Sequence, residues 1–121
     1  MAAKTAPFRL LVHQSINPGA YGEFQQLAQK GASGAEAGEP GTLGYEFFVD
    51  EDGTEFYLNE YYADSESFIA HFANVQPVLQ AMMKVLGPPE AIVLGDPSTE
   101  ARALLDGLGA TYYSTCIGFC R

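Results

Sequence analysis

The chain has 121 residues, of which 47% are hydrophobic and 17% charged, and this balance indicates one globular domain spanning residues 1–121. Six Lys and Arg stand against 15 Asp and Glu, and the formal charge of −9 leaves few cations to neutralise phosphates. Nucleic acid and anionic membranes are therefore disfavoured as partners. No apolar run approaches the roughly 18 residues of a membrane helix. These features predict a cytoplasmic protein with a small ligand.

The first third of the chain predicts a strand, a helix and a loop. Phe8–His13 is the strand, and Asn17-Pro18 supplies an N-cap followed by proline at the first helical position. The helix is expected to run to about Lys30, with an apolar side formed by Tyr21, Phe24, Leu27 and Ala28. Gly31–Gly41 has no period and almost no bulky residue, which predicts a flexible surface loop or lid.

The middle of the chain predicts a β-hairpin. Leu43–Val49 and Phe56–Tyr62 are rich in aromatic and branched residues, and they flank the turn Asp50–Gly53. Asp64 follows as the N-cap of a helix with an acidic first turn. Pro77 interrupts that helix near residue 74, and its second piece ends before Gly87-Pro88-Pro89.

The last part of the chain predicts a short strand, a helix and a final strand. Ala91–Leu94 is continuously apolar, Asp96-Pro97 starts a helix that reaches about Leu108, and Thr111–Phe119 alternates like a strand. Cys116 and Cys120 fall in that last strand, where their Cα atoms would lie roughly 13 Å apart, beyond the ~7 Å limit for a disulfide. We expect two free thiols, with metal binding or an intermolecular bridge as alternatives.

The element order is β-α-β-β-α-β, the ferredoxin-like split pattern, followed by an additional helix and strand in residues 97–121. This α+β fold covers one face of an antiparallel sheet with helices. The other face stays apolar, and two subunits can cover it by packing sheet against sheet. A homodimer follows as an inference from the fold.

Three stretches resemble the antibiotic biosynthesis monooxygenase family. They are Gly38-Glu39-Pro40-Gly41-Thr42-Leu43-Gly44-Tyr45-Glu46, then Glu60-Tyr61-Tyr62-Ala63-Asp64-Ser65-Glu66, and then His71. The resemblance covers about residues 8–94 and implies a dimeric α+β barrel. Its members include cofactor-independent oxygenases of polyketide anthrones, quinol monooxygenases and heme-degrading relatives. Tyr62 stands where the family usually has Trp, which disfavours heme degradation.

The resemblance and the strand alternation together predict which residues face a pocket. Phe56, Leu58, Glu60 and Tyr62 share one face of the third strand, and we expect this face to meet the helices. Pairing about the turn is expected to place Glu46 and Phe48 beside them. The opposite set, with Leu43, Tyr45, Phe47 and Val49, is then expected to face the second subunit.

His71, Glu60, Glu46 and Tyr62 form the acid-base group that this arrangement predicts. His71 lies at the edge of the apolar arc of its helix, where it can act as a base, with a carboxylate holding one imidazole tautomer. Tyr62 would donate to an oxyanion. The predicted substrate-binding walls are Phe48, Leu58, Phe68, Phe72 and Met82. Structural roles remain the alternatives: a rim histidine, a solvated carboxylate pair and ordinary core packing for the apolar side chains.

The resemblance and the residue inventory lead to one function and one alternative. We expect a cofactor-independent monooxygenase that oxidises a small aromatic phenol, quinol or polyketide-like substrate with O₂. Two histidines without metal-ligand spacing, and the lack of a phosphate loop or serine elbow, disfavour other chemistries. His13 is expected to be structural. The alternative is a non-catalytic small-ligand-binding or stress-related barrel, which needs no titratable group in its pocket.

Overall fold

The computed structural model describes residues 6–121, and its elements follow the expected order. In chain order they are β1 (Phe8–Ser15), α1 (Tyr21–Gly38), β2 (Thr42–Val49), β3 (Glu55–Tyr62), α2 (Ser65–Asn74), α3 (Gln76–Met82), β4 (Glu90–Leu94), α4 (Thr99–Asp106) and β5 (Thr111–Tyr113). Among residues 6–121, none of the helices has the length and apolar character needed to cross a bilayer.

The strands form one sheet in the order β2-β3-β1-β4-β5. The first four strands pair antiparallel, with β3 and β4 on either side of β1. This arrangement confirms the ferredoxin-like α+β fold. β5 extends the sheet by pairing parallel to β4, with Thr111 opposite Ile92.

The β2–β3 hairpin has a different register from the one expected. The backbone N–H of Asp50 donates to the carbonyl of Glu55, and this pair closes a four-residue connection. Because the connection contains an even number of residues, each odd-numbered residue of β2 pairs with an even-numbered residue of β3. Tyr45 therefore lies opposite Glu60, and Phe47 lies opposite Leu58. Directly opposite residues share a face. Tyr45 and Phe47 therefore face the helices.

The predicted placement of Glu46 and Phe48 beside Glu60 was wrong. The same register puts Glu46 opposite Asn59 and Phe48 opposite Tyr57, on the face that the helices leave open. Both side chains are exposed, and 55% of Phe48 is accessible to solvent.

Helix α1 replaces the predicted flexible loop, because it continues to Gly38. The buried residues Phe24, Ala28, Gly31 and Ala35 recur at intervals of four, three and four, which keeps one face toward the sheet. Small residues continue this face past Lys30, so α1 approaches Tyr45 and Val78 closely at Gly31. The helix also begins later than expected, since its N-cap is Ala20 and not Asn17.

Helices α2 and α3 meet at the predicted break. The Asp64 carboxylate accepts the Ser67 backbone N–H at 2.8 Å, which confirms Asp64 as the N-cap of α2. The helix ends at residue 74, and Pro77 lies in the first turn of α3. The bend lets both helices cover the same face of the sheet.

The C-terminal part has less strand than predicted. Ser98 caps α4, and β5 ends at Tyr113, so the predicted strand over residues 111–119 is limited to its first three residues. Residues 114–121 have no regular structure. Cys116 and Cys120 are free and exposed in this tail, and not in a strand.

The core lies between the sheet and the helices. Its largest fully buried apolar side chains are Tyr62, Phe8, Phe24, Phe56, Phe68, Leu10, Leu105 and Val93. The opposite face of the sheet has no helix over it in the described chain. Exposed apolar side chains on that open face include Phe48, Tyr57, Ile92 and Tyr113.

Candidate functional site

A cavity of about 650 Å³ lies between the sheet and the α2–α3 pair. Alternate residues of β1 and β3 form its floor, and α2 and α3 form its roof. The floor comprises Leu10, Val12, Gln14, Phe56, Leu58 and Glu60, and roof residues include Phe68, His71, Phe72, Val75, Val78, Leu79 and Met82. Glu60, His71 and Tyr45 are the titratable side chains in this largely apolar lining.

The cavity has a buried polar end and an open apolar end. Leu10 pairs with Glu60 at one end of the floor, and Gln14 pairs with Phe56 at the other. His71 lies at the Glu60 end and only 3% of it is exposed. At the other end the Gln14 side chain donates to the carbonyl of Gly87 at 2.9 Å. The lining beside it includes exposed prolines, Pro88 and Pro89, which mark the mouth.

His71 lies between two carboxylates. Its Nδ1 is 2.7 Å from Oε1 of Glu39, and its Nε2 is 3.9 Å from Oε1 of Glu60. Both glutamate side chains and the imidazole are at least nine-tenths buried. The close contact to Glu39 holds the ring with Nδ1–H toward that carboxylate. Nε2 is then the nitrogen that faces Glu60, and it can accept a proton.

Glu60 is a buried carboxyl group in an apolar strand face. Burial raises its pKa to about 7, the hydrogen bond from Tyr62 opposes this shift, and the charge of Glu39 adds to it. The Tyr62 hydroxyl donates to Oε1 of Glu60. Tyr62 is itself fully buried, and burial followed by the Glu60 charge raises the pKa of its phenol well above the ordinary value. Glu60 can therefore exchange a proton near neutral pH.

Glu39 is the second carboxylate, and it comes from the end of α1. Burial tends to raise its pKa, but hydrogen bonds from His71 and Thr42 outweigh that effect and the net pKa is lowered. The Thr42 hydroxyl donates to Oε1 of Glu39 at 2.8 Å. The segment lies so close to α2 that only glycine fits at position 41: a Cβ there would lie 1.9 Å from the Ser67 hydroxyl oxygen. Glu39 is thus an ionised, fixed partner of His71.

Tyr45 completes the polar end. Its ring centroid is 4.9 Å from that of His71, and the ring centroid of Tyr62 is 5.7 Å from that of His71. Burial, then the charges of Glu60 and Glu39, raise the pKa of Tyr45 above its ordinary value. Its hydroxyl stays protonated at neutral pH.

The structure brings together most of the predicted site residues and separates two of them. His71, Glu60 and Tyr62 are adjacent, and Leu58, Phe68, Phe72 and Met82 line the cavity. Glu46 and Phe48 lie on the open face of the sheet. Sequence reasoning missed Tyr45 and Phe47 because of the hairpin register. It also missed Glu39, although that residue stands in the quoted motif, because the surrounding glycines indicated a mobile loop.

The other histidine lies outside this cavity. His13 is on the open face, 2.7 Å from Glu90 and 2.5 Å from Glu55, and it stacks on Tyr57. Across residues 6–121, no three His, Cys, Asp or Glu side chains are placed to hold a metal ion together.

Several solved structures share this fold. MupZ from Pseudomonas fluorescens superposes with a TM-score of 0.79 at 18% identity, covering 96% of this chain and 95% of MupZ. A protein from Caulobacter crescentus, proposed to be an antibiotic biosynthesis monooxygenase, superposes with a TM-score of 0.70 at 20% identity. The match covers 79% of this chain and 93% of that protein. Rv0793 from Mycobacterium tuberculosis superposes with a TM-score of 0.67 at 19% identity, and the match covers 77% of this chain and 97% of Rv0793. At these identities the likeness shows a shared fold, and with MupZ it extends over α4 and β5.

The sequence comparison identifies the family. A search of curated proteins finds no significant match. The family model described as antibiotic biosynthesis monooxygenase matches residues 7–84, well over half of the chain. That span contains β1 to α3 and therefore the whole polar end of the cavity. The chain belongs to the antibiotic biosynthesis monooxygenase family.

Proposed function

We propose that this chain is a cofactor-independent monooxygenase that oxidises a phenol, quinol or polyketide-like aromatic substrate with O₂. One observation carries the proposal: His71 is fixed between Glu39 and Glu60 at the buried end of an apolar cavity. A buried imidazole with an ionised partner on one nitrogen and a second nitrogen toward the cavity is an arrangement suited to general-base catalysis.

The proposed reaction begins with proton transfer from the substrate hydroxyl to Nε2 of His71. The resulting anion is electron-rich enough to reduce O₂, so the substrate supplies the electrons. One oxygen atom becomes bonded to carbon, and the other leaves as water after taking up two protons. An apolar enclosure suits this chemistry because it excludes bulk water from the anion and from reactive oxygen species.

Three neighbours support the base in this proposal. Glu39 orients the imidazole through Nδ1 and stabilises its protonated form. Glu60 accepts or returns a proton near neutral pH, as its raised pKa allows. Tyr45 lines the cavity with a protonated hydroxyl that can donate to an oxyanion. Tyr62 acts one step away, through its hydrogen bond to Glu60.

The experiment that tests the proposal is an oxygen-consumption screen with hydroquinones, naphthols and anthrones. We expect at least one compound to be consumed with one O₂ per molecule, giving a product that contains one added oxygen atom. Labelling with ¹⁸O₂ verifies the origin of that atom by mass spectrometry. If every class is inert under conditions in which the protein binds it, the monooxygenase proposal is wrong.

The second candidate is a small-ligand-binding protein without catalysis, which the size and apolar lining of the cavity also support. Replacing His71 separates the two candidates. In a binding protein, His71→Ala should leave the affinity for an apolar phenol nearly unchanged. In an enzyme, the same change should remove turnover while the phenol still binds.

We also propose that two subunits form a homodimer through the open faces of their sheets. The exposed apolar residues there, with Tyr57 at 54% exposure, would otherwise remain in water. Sedimentation velocity should give a dimer of the 13.0 kDa chain, and Ile92→Asp on that face should dissociate it. Gln80→Asp, on the exposed side of α3, is the matched control. A wild-type monomer at micromolar concentration would overturn the proposal.

A further inference from the structure

The shape of the cavity limits how a ligand can lie in it. Its floor runs along β1 from Leu10 to Gln14, a length of roughly 13 Å at the usual rise per strand residue. The titratable groups are all at the Leu10 end, and the exposed lining residues are at the Gln14 end. Gly109 belongs to the open end too. Thr111 pairs with Ile92, which lies opposite Leu11 of β1, so a residue two positions before Thr111 is level with the Gln14 end of β1. A ligand of this length therefore lies along the strands.

The charges of the cavity limit the ligand further. No lysine or arginine is among the residues that line it in the described part of the chain. His71 is the one lining side chain there that can carry positive charge, and its Nδ1 is already bound to Glu39. An anionic group at the buried end would lose its hydration and meet Glu60 without gaining a free cation. A carboxylate or phosphate is thus rejected there, whereas a neutral hydroxyl can hydrogen-bond to the imidazole or the carboxyl group.

The open end is apolar but accessible. Met83 is 70% exposed, and the neighbouring lining residues Leu79, Met82 and Leu86 contribute hydrocarbon and thioether surface without charge. Methionine side chains adapt to ligands of varied shape. This end can therefore receive an apolar chain or ring system of variable length, because any excess passes out at the mouth.

We propose that the cavity takes uncharged, elongated molecules that enter with a single hydroxyl-bearing end first and keep an apolar body of up to about 13 Å along the strands. The assignment of the hydroxyl as the reacting end rests on the proposed function. The class of ligand does not, because it follows from the length, lining and charge of the cavity.

The test measures binding by calorimetry with two matched series of probes. In para-alkylphenols from para-cresol to para-octylphenol, affinity should rise about fourfold per added methylene until the chain reaches the mouth, and then level off. At neutral pH para-hexylbenzoate should bind at least about tenfold more weakly than para-hexylphenol, because its anionic head is unpaired at the buried end. Affinity independent of chain length, or a benzoate that binds as well as the phenol, would overturn the proposal.

A variant locates the effect within the cavity. Leu79→Trp should shorten the apolar path, so that para-octylphenol binds no better than para-butylphenol while para-cresol keeps its affinity. Gln80→Trp, on the exposed side of the same helix, is the control and should keep the full chain-length gain. Equal chain-length gains in both variants, at wild-type folding by circular dichroism, would contradict the proposed ligand path.

The result is independent of turnover. Phenols that bind with the expected length and charge dependence but are never oxidised would defeat the monooxygenase proposal and leave this one standing. If the protein oxidises a small hydroquinone but binds phenols with no dependence on their length or charge, the monooxygenase proposal stands and the proposed ligand class is wrong.

Discussion

The chain contains two histidines, and each lies between two glutamates, but the two clusters differ in burial. His71, Glu39 and Glu60 are enclosed between α1, α2 and the sheet. His13 is paired with Glu55 and Glu90 on the open face, where 51% and 78% of the two glutamate side chains are exposed. The distances from Nδ1 of the imidazole to its carboxylate partner are the same, 2.7 Å in both clusters.

The comparison shows that burial, and not contact distance, distinguishes the His71 cluster from the surface ion pairs of His13. Water screens the His13 cluster, so its charges interact weakly with each other and with any ligand. The His71 cluster lies where the effective dielectric is low, which raises the pKa of Glu60 to about 7, while hydrogen bonds keep Glu39 ionised. Neighbouring buried groups with opposed pKa shifts are typical of functional sites.

The largest expected effect is on turnover and comes from replacing His71, with the same replacement at His13 for comparison. His71→Ala should lower turnover of a substrate found in the screen by about 10² to 10⁴, the usual contribution of a general base. His13→Ala is the matched control and should change turnover by less than about twofold, since its cluster is screened by water. Steady-state oxygen consumption measures both variants. Equal losses, or unchanged turnover in His71→Ala, would return His71 to a structural role.

The second effect concerns stability, and it follows from the pKa of Glu60. The pKa is about 7 in the folded chain against an ordinary value of 4.5. Between these values the unfolded chain loses the proton and the folded chain keeps it, so the free energy of unfolding falls by about 3 kcal/mol as pH rises through this window. Below pH 4.5 the penalty is absent.

Glu60→Gln should remove this pH dependence. From pH 4 to pH 8, the free energy of unfolding of the variant should rise by about 3 kcal/mol relative to that of wild type, provided that the introduced amide keeps the hydrogen bond from Tyr62. Urea unfolding across that range measures the difference. Glu46→Gln, on the open face, serves as the control and should follow wild type at every pH. Parallel profiles for all three proteins would show that Glu60 ionises normally in the folded chain.

Sequence reasoning succeeded where a local signal decides the structure and failed where a distant pairing does. The side chain of Asp64 and the ring of Pro77 act on their own turns of helix, so the start of α2 and the break between α2 and α3 could be predicted. The end of α3 could not, because the helix stops at Met82 and not just before Gly87. The position of His71 in the cavity lining followed from its place on α2 together with the family resemblance. Which residues of β2 face the helices depends on one closing pair of the hairpin, Asp50 and Glu55. A shift of one residue in that pairing exchanges the two faces of β2.

Glu39 illustrates the same limit within the site. Its role requires α1 to continue through a glycine- and alanine-rich segment, whose glycines local propensity does not favour in a helix. The packing of Gly31 against Tyr45 and Val78 supports that helix from another part of the chain. Only then does the end of α1 reach His71, which is 32 residues away in sequence. No pattern around Glu39 alone indicates this contact.

The third effect tests Glu39 as a positioning residue. Glu39→Gln keeps the shape of the side chain but removes the charge that orients and stabilises the imidazole, so kcat should fall about tenfold to a hundredfold. KM should change little, because Glu39 is not among the cavity-lining residues. Glu55→Gln makes the same change beside His13 and should leave kcat intact. A loss confined to KM would mean that Glu39 shapes the cavity and does not act through His71.

The smallest effect is expected at the exposed cluster. The hydrogen bonds that His13 makes to the carboxylates of Glu55 and then Glu90 raise its pKa above 6.5. The raised pKa means that the stabilisation is complete below pH 6.5, where His13 is protonated in both states, and is lost as pH rises through the folded value. Because water screens the pair, the loss should stay under about 1 kcal/mol. Urea unfolding of wild type and His13→Gln near pH 6 and pH 9 measures it, with the two proteins converging at the higher pH. Adding salt should shrink the difference at pH 6, whereas the Glu60 effect should persist, because mobile ions reach the open face of the sheet and not the buried end of the cavity.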